Sequence, residues 1–336
     1  MSGAVLAALH DLHRDREVRR AWPGADGTLT LETRDADGTL RAGRLGPDGL
    51  TLAPAGVDRK LPALTGAAPG GDLLVHRLHK RAVLRHGHRF TKVVRPGRAE
   101  PIRVASEAVG DACAAAGIAA APVLAGTDDT VVFGALAGRT LHDLGADGLP
   151  GWEALARAWP AFVAGAAPVG AHDAAREAAT LTGWLDHLDR FDALPSHRAA
   201  LRAAGERVAA DLAAGRPDAA GLLHRDLHDK QVLWDAATGT LGLLDLDTAA
   251  VGEPALDLAN LAAHVDLRVL QGVLPAATAA EVHGLLSWVA DAVGASPARL
   301  EAYGRSARLR LACVYAFRPG AAVWLDSWVE EALSGA

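Results

Sequence analysis

The stretch HRDLHDKQ, residues 224–231, puts seven polar or ionisable side chains into eight positions of a chain otherwise rich in alanine and leucine. It follows the apolar GLL and runs on into VLWD, so a polar loop lies between two strand-like segments. KQVLWDAATGTLGLLDLD reads as a β-hairpin turned at Thr238-Gly239, which sets Asp226 and Asp245, 19 positions apart, at the two ends of one ribbon facing a common cavity. Two carboxylates so arranged suit phosphoryl transfer. One accepts the proton of an attacking hydroxyl, and the other joins further oxygen donors around a magnesium ion that bridges phosphates. The alternation His224, Asp226, His228 would also share one face of a strand and offers a metal site as an alternative.

Those residues need elements to hold them. Residues 21–64 are punctuated by Asp-Gly, Gly-Thr and Pro and hold short alternating runs, with ETRDADGTLRAG a hairpin turned at Asp37-Gly38. A second β segment covers roughly 73–95, and PIRVASEAVGDACAAAG follows with apolar residues at helical spacing and a terminal glycine. AAPVLAG and TVVFGAL read as two more strands. From about residue 150 the pattern is helical, over 151–166, 173–190, 196–214, 254–270, 278–293 and 297–317, interrupted by the hairpin of 221–247.

HRDLHDKQ matches the kinase catalytic-loop pattern H-R-D-L-x-x-x-N except at its last position. With GLLDLDTAAVGEPALDLANL, residues 242–261, it resembles the aminoglycoside phosphotransferase branch of the kinase-like fold. That branch carries a His-x-Asp loop, an apolar-Asp signature and a Gly-(Asp/Glu)-Pro-x-x-Asp-Leu-Ala tail. The resemblance spans roughly residues 75–265, is strongest across 222–261 and is absent before about residue 70. It implies an α+β, protein-kinase-like two-lobe fold: a small β-rich cap over 1–70, a β-rich N-lobe over 71–138 and a mostly helical C-lobe over 139–336. It also implies ATP and Mg2+ as cofactors and leaves the metal reading of His224, Asp226 and His228 the weaker one.

The implied roles follow position by position. Asp226 is similar to the catalytic base, and Asp245 to the main magnesium ligand, with Asp247 ranked second. Gln231 occupies the place of the metal-binding Asn, keeping a carbonyl oxygen on a side chain longer by one methylene. Bacterial maltokinases and their glucosamine-phosphorylating relatives are similar in having Gln here, and in carrying an N-terminal cap. His224 is expected to support the loop backbone and Asp257 to accept from loop amides, with Arg225, Asp229 and Lys230 solvated, although Lys230 lies close enough in sequence to Asp226 to touch the transferring phosphate.

Only four residues are lysine, Lys60, Lys80, Lys92 and Lys230. Lys92, in FTKVV, and Glu107, in the following helix, have the spacing of the strand-Lys to helix-Glu ion pair that positions nucleotide phosphates in this fold. The backbone around Phe133, Gly134 and Ala135 is expected to meet adenine. No glycine-rich loop is visible. His79, Lys80 and Arg81 stand where the phosphate-covering turn belongs, and His76, His79, His86 and His88 read as surface residues.

At 336 residues, 50% hydrophobic and 22% charged, the chain is long enough for two domains with sizeable cores. No apolar run approaches the ~18 residues of a membrane span, and the N-terminus lacks a basic leader region, so membrane attachment is not expected and the cytoplasm is. Cys113 and Cys313 fall in helical patterns as reduced thiols, and no CxxC zinc framework is possible. Residues 1–103 hold 18 Lys and Arg against 11 Asp and Glu, a net of +7; the remainder holds 16 against 29, a net of −13. Such a division suits an anionic cofactor on the front lobe and an amine-bearing acceptor on the back, rather than nucleic acid. The expected activity is ATP-dependent phosphorylation of a hydroxyl on a small polar molecule, an aminoglycoside or amino sugar. A maltokinase-like neutral sugar kinase and a nucleotide-binding pseudokinase are the alternatives, and oligomeric state leaves no signal.

Overall fold

Helix α1 (Ser2–Asp15) leads into a four-stranded antiparallel meander, β1 (Val18–Pro23), β2 (Leu29–Arg34), β3 (Leu40–Gly46) and β4 (Gly49–Leu52), paired in chain order. These elements are seen in a computed structural model that describes residues 2–335. The expected hairpin joins β2 to β3, with Gly38 at φ +84° in the left-handed region that a glycine tolerates best. Helix α1 was not expected from the sequence; Val5, Leu6 and Leu9, three of its apolar residues, are buried.

A short helix, α2 (Ala63–Ala67), leads to the five-stranded front sheet. Its strands are β5 (Asp72–Arg77), β6 (Arg81–His86), β7 (Arg89–Val94), β9 (Val123–Gly126) and β10 (Thr130–Gly134), ordered β5-β6-β7-β10-β9. Helix α3 (Ala99–Ala115) and the two-residue strand β8 (Ala119–Ala120) come between β7 and β9. One face of the front sheet buries Ala82, Leu84 and Val93 against Leu61 and Leu64, and Val94 and Val131 pack with Ala99 of α3.

Strand β11 (Arg139–Thr140) opens the back region. It is followed by α4 (Leu141–Leu144), α5 (Leu149–Val163), α6 (Ala174–Phe191), α7 (Arg198–Ala214), β12 (Gly221–Leu223), β13 (Val232–Asp235), β14 (Thr240–Leu243), β15 (Ala250–Gly252), α8 (Ala255–Leu270), α9 (Ala276–Val293), α10 (Pro297–Tyr315) and α11 (Leu325–Ser334). The hairpin β13–β14 sits in a sheet ordered β11-β13-β14-β8, so the chain entering and leaving the front sheet is stitched to the hairpin. Gly138 makes that crossing possible: at φ +96°, a Cβ there would lie 2.6 Å from the Trp234 backbone.

The largest core runs without a break from Val5, Leu9, Leu29 and Leu31 of the cap to Trp159, Phe162, Phe191, Phe317 and Trp328 of the helical lobe. Each such side chain contributes about 1.5–3 kcal/mol on burial. The cap is therefore rooted in the helical lobe, while the front sheet has smaller cores of its own. The cap strands also meet the front sheet through polar contacts. Buried Glu32 accepts from the His76 backbone N–H at 2.8 Å and from Arg19 at 3.2 Å, and Trp22 lies under Arg77 of β5 and Arg318 of the helical lobe, 5.1 and 5.5 Å from its ring centroid.

Candidate active site

The polar loop leaves β12 and is held at almost every residue. Arg225 takes φ +71°, a conformation that costs an L residue roughly 1–2 kcal/mol. It is held there by Asp257, whose two oxygens accept the backbone N–H groups of His224 (2.6 Å) and Arg225 (2.8 Å). Burial pushes the Asp257 carboxyl up to about 6, against the opposing pull of His224 and those two donors. His224, fully buried, donates from Nε2 to the Leu244 carbonyl at 2.7 Å and accepts the Asp226 N–H on Nδ1 at 3.3 Å, a neutral tautomer with both nitrogens used. Thr248 Oγ1 donates to the His224 carbonyl at 3.1 Å and Asn260 Nδ2 to the Leu227 carbonyl at 2.9 Å. Asp257 and His224 thus play the supporting parts expected of them.

Asp229 departs from expectation: it is buried rather than solvated. Arg268 grips both of its oxygens at 2.7 and 2.9 Å and His142 adds a contact at 2.9 Å. Burial opposes its ionisation, but these partners and His228 hold the carboxyl far below the usual range. His228 and His264 stack nearby, ring centroids 4.8 Å apart, yet the charge of Asp229 is already matched by Arg268. His224 is spent on the backbone, so the His-x-Asp-x-His alternation does not converge on an ion.

The hairpin returns the chain to Asp245, which also takes a left-handed φ, +59°. Gln231 lies beside it, because the Gln231 carbonyl accepts the Leu244 N–H at 2.8 Å. Lys92 reaches across from β7 and donates to Asp245 at 2.9 Å and to Asp247 at 2.8 Å. Burial raises both carboxyls. Lys92, the Asp247 contact and Arg81 outweigh it at Asp245, whose carboxyl is held low, while the neighbouring charge of Asp245 adds to burial and leaves Asp247 raised. Asp247 is the less exposed of the two, and its Oδ1 is buried without a partner. An orphaned carboxylate oxygen beside a second carboxylate is a pair of oxygen donors of the kind a hard divalent cation takes, and the Gln231 backbone runs alongside. Asp247 thus offers a free oxygen from the same place as Asp245.

Other residues singled out from sequence do not come together. Glu107 pairs with Arg103 on its own helix at 2.7 Å, and Arg103 also takes Glu100 at 2.6 Å, so the Lys92–Glu107 ion pair is absent. Lys92 instead has two buried carboxylates at bonding distance. Phe133 and Gly134 end β10, but the Gly134 N–H is taken by the Pro122 carbonyl (2.9 Å) and that of Ala135 by His88 (2.8 Å). The first N–H groups beyond the strand that no backbone carbonyl takes are those of Leu136 and Ala137. His76 is no surface residue. It is fully buried, with Nε2 3.1 Å from Asp58.

Asp226 opens onto a cavity of about 210 Å³ between α6, α8 and α10. Its charged lining is balanced, with Glu177 and Asp226 against Arg225 and Arg310, and Trp184 gives it an aromatic wall. Glu177 stays ionised despite burial because His172 and Arg310 lie at 3.3 and 3.7 Å. Sequence reasoning located the helices that line this cavity but none of these side chains except Asp226 and Arg225. Asn260, three residues after Asp257 and so on the same helical face, was the one with a readable signal.

Among the described residues no helix is long and apolar enough to cross a membrane. No curated protein matches the chain. Solved structures resemble it in fold. The amicoumacin kinase hAmiN, in complex with AMP-PNP, Ca2+ and Ami, superposes with a TM-score of 0.60 at 14% identity over 81% of this chain and 92% of that one. A choline/ethanolamine kinase family protein from Mesorhizobium loti gives 0.51 at 18% identity over 82% and 90%. Aminoglycoside phosphotransferase APH(3'')-Id from Streptomyces rimosus gives 0.51 at 18% over 76% and 96%. Residues 81–290 match the APH family, described as the phosphotransferase enzyme family. That match takes in Lys92, the polar loop, both aspartates of the hairpin and the helix that supports them, and on it the chain is a member of the APH family, the kinase-like small-molecule phosphotransferases.

Proposed function

We propose that the protein transfers the γ-phosphoryl group of ATP to a hydroxyl of a small polar molecule. The observation that carries this reading is the position of Asp226: its backbone is fixed by His224 and its side chain, half exposed, opens onto the cavity between α6, α8 and α10. A hydroxyl lodged there would give its proton to the Asp226 carboxylate as its oxygen bonds to the γ-phosphorus, and the bond to the β,γ-bridging oxygen breaks to release ADP. Lys92 would neutralise phosphate charge. Gln231, Asp245 and Asp247 would hold Mg2+, which when bound spreads the charge of the phosphate oxygens.

The acceptor we favour is an amino sugar or a small aminoglycoside. Support comes from the −13 excess of the chain beyond residue 103 and from Glu177 and Asp226 in the cavity wall. A cavity of about 210 Å³ is below the ~300–1,000 Å³ usual for drug-sized ligands and suits a single sugar ring better than a multi-ring antibiotic. The balance of two carboxylates by two arginines favours a second reading, a neutral sugar as in maltokinase-like enzymes. A coupled ATP-consumption screen over glucosamine, glucose, maltose, choline and an aminoglycoside, with products weighed by mass spectrometry, tests both. Phosphorylation of glucosamine above the neutral sugars is expected. Turnover of none, with no ADP formed, would sink the kinase reading.

A further inference from the structure

In kinase-like folds a glycine-rich turn between the first two strands covers the nucleotide phosphates, and its flexible main-chain amides do the binding. The corresponding turn here, residues 78–80 between β5 and β6, contains no glycine, and two of its three amides are engaged. The His79 N–H donates to Asp58 Oδ2 at 2.7 Å and the Lys80 N–H to the Arg77 carbonyl at 3.0 Å. Asp58 comes from the segment that joins the cap to the front sheet, and it is buried. Its two oxygens meet four nitrogen partners: the backbone N–H groups of His79 and Lys60, His79 Nδ1 at 2.7 Å and His76 Nε2 at 3.1 Å. These contacts hold His79 at φ +62°, where a non-glycine residue rarely rests. A turn locked in this way has few amides to offer a phosphate.

Side chains on the cleft side of the sheet are what remain. Val83 pairs directly with Lys92, and Arg81 lies two residues before Val83, so Arg81 shares the face from which Lys92 reaches Asp245. Its neighbour Arg77 is occupied over Trp22, whereas no described carboxylate lies within ion-pair distance of Arg81. We propose that Arg81, set by a β5–β6 turn that Asp58 locks to the cap, supplies the contact to the nucleotide phosphates that main-chain amides supply elsewhere. Asp58 is then a positioning residue. The inference rests on the ATP-dependent reading given above.

The test is calorimetric titration of the full chain with AMP-PNP and magnesium, and separately with adenosine, which lacks phosphates. Arg81→Ala is expected to weaken AMP-PNP about tenfold or more, the scale of one lost charge-assisted hydrogen bond, and to leave adenosine unchanged. Arg81→Lys should recover part of the loss. Asp58→Asn places an amide N–H against donors whichever way it turns, and should weaken AMP-PNP several-fold with the same indifference to adenosine. AMP-PNP affinity in Arg81→Ala equal to that of the wild type would overturn the proposal while leaving the kinase reading in place, as would equal losses for AMP-PNP and adenosine. A wild-type chain that binds adenosine no worse than AMP-PNP would overturn it too, and one that binds neither would remove the nucleotide reading itself. If Asp58→Asn does not fold, the Arg81 pair of variants decides the matter alone.

Discussion

The two sides of the cleft are built to different standards of fixity. On the helical side the polar loop has its N–H and carbonyl groups claimed one after another by Asp257, Thr248 and Asn260, and behind it Asp229 is locked to Arg268. On the front side Lys92 holds two aspartates of the opposite lobe, and the helix glutamate expected to orient it holds an arginine. The difference teaches that the helical side is preorganised by a dense set of buried polar contacts, which are costly to break singly. The front side mixes one buried ion-pair cluster, Lys92 with Asp245 and Asp247, with exposed pairs of Arg103 that can be rearranged at small cost.

The sharpest way to break this comparison is to remove the base. Asp226→Asn is expected to lower kcat by ~10²–10⁴-fold with little change in melting temperature; a variant with near-normal turnover would take Asp226 out of the role. Next in size is Arg268→Ala, which strands a buried carboxylate and should cost ~3–5 kcal/mol in chemical denaturation at neutral pH. The folded Asp229 carboxyl is depressed, so its contribution to stability is present above its unfolded value of about 4 and is lost as pH falls below it. The gap between wild type and Arg268→Ala should therefore narrow in acid, and a gap that widens would contradict the assignment.

A smaller effect concerns Lys92 and Glu107. Without nucleotide, Glu107→Ala should leave stability nearly unchanged, because the Arg103 pair it breaks is exposed. The effects of Lys92→Ala and Glu107→Ala on melting should add. In the KM for ATP the two losses should not add, with a coupling above ~0.5 kcal/mol, if the strand lysine exchanges its aspartates for the glutamate during turnover. Additivity in both measurements would confine Glu107 to its own helix. The least of the effects is electrostatic: raising salt from 0.05 to about 0.3 M should raise the KM of an amine-bearing acceptor roughly two- to threefold and leave glucose unmoved.

The parts of this protein that could be read in advance were those where chemistry compresses into a short span. HRDLHDKQ and the Asp245 hairpin carry their spacing within one supersecondary unit, and the six helices from α5 to α10 announce themselves by periodicity. What escaped depends on partners distant in sequence. Nothing local to Asp229 signals Arg268, 39 residues on, nor does Lys92 signal Asp247, 155 residues away. Glu177 and Arg310 look like ordinary charges of surface helices until α6 and α10 pack together. Helix α1 was overlooked because its apolar residues crowd into one short run rather than a long periodic pattern, and partners such as Phe191 lie in the helical lobe.

Trp22 gives the cap an optical use. An indole held between one guanidinium of the front sheet and one of the helical lobe sits in a field that depends on the distance between them. Any change in that distance would therefore shift the colour of its emission. The chain has eight tryptophans, and the difference spectrum between wild type and Trp22→Phe isolates this one. Followed in stopped flow during nucleotide addition, it would report without any added label whether the front sheet and the helical lobe shift relative to each other.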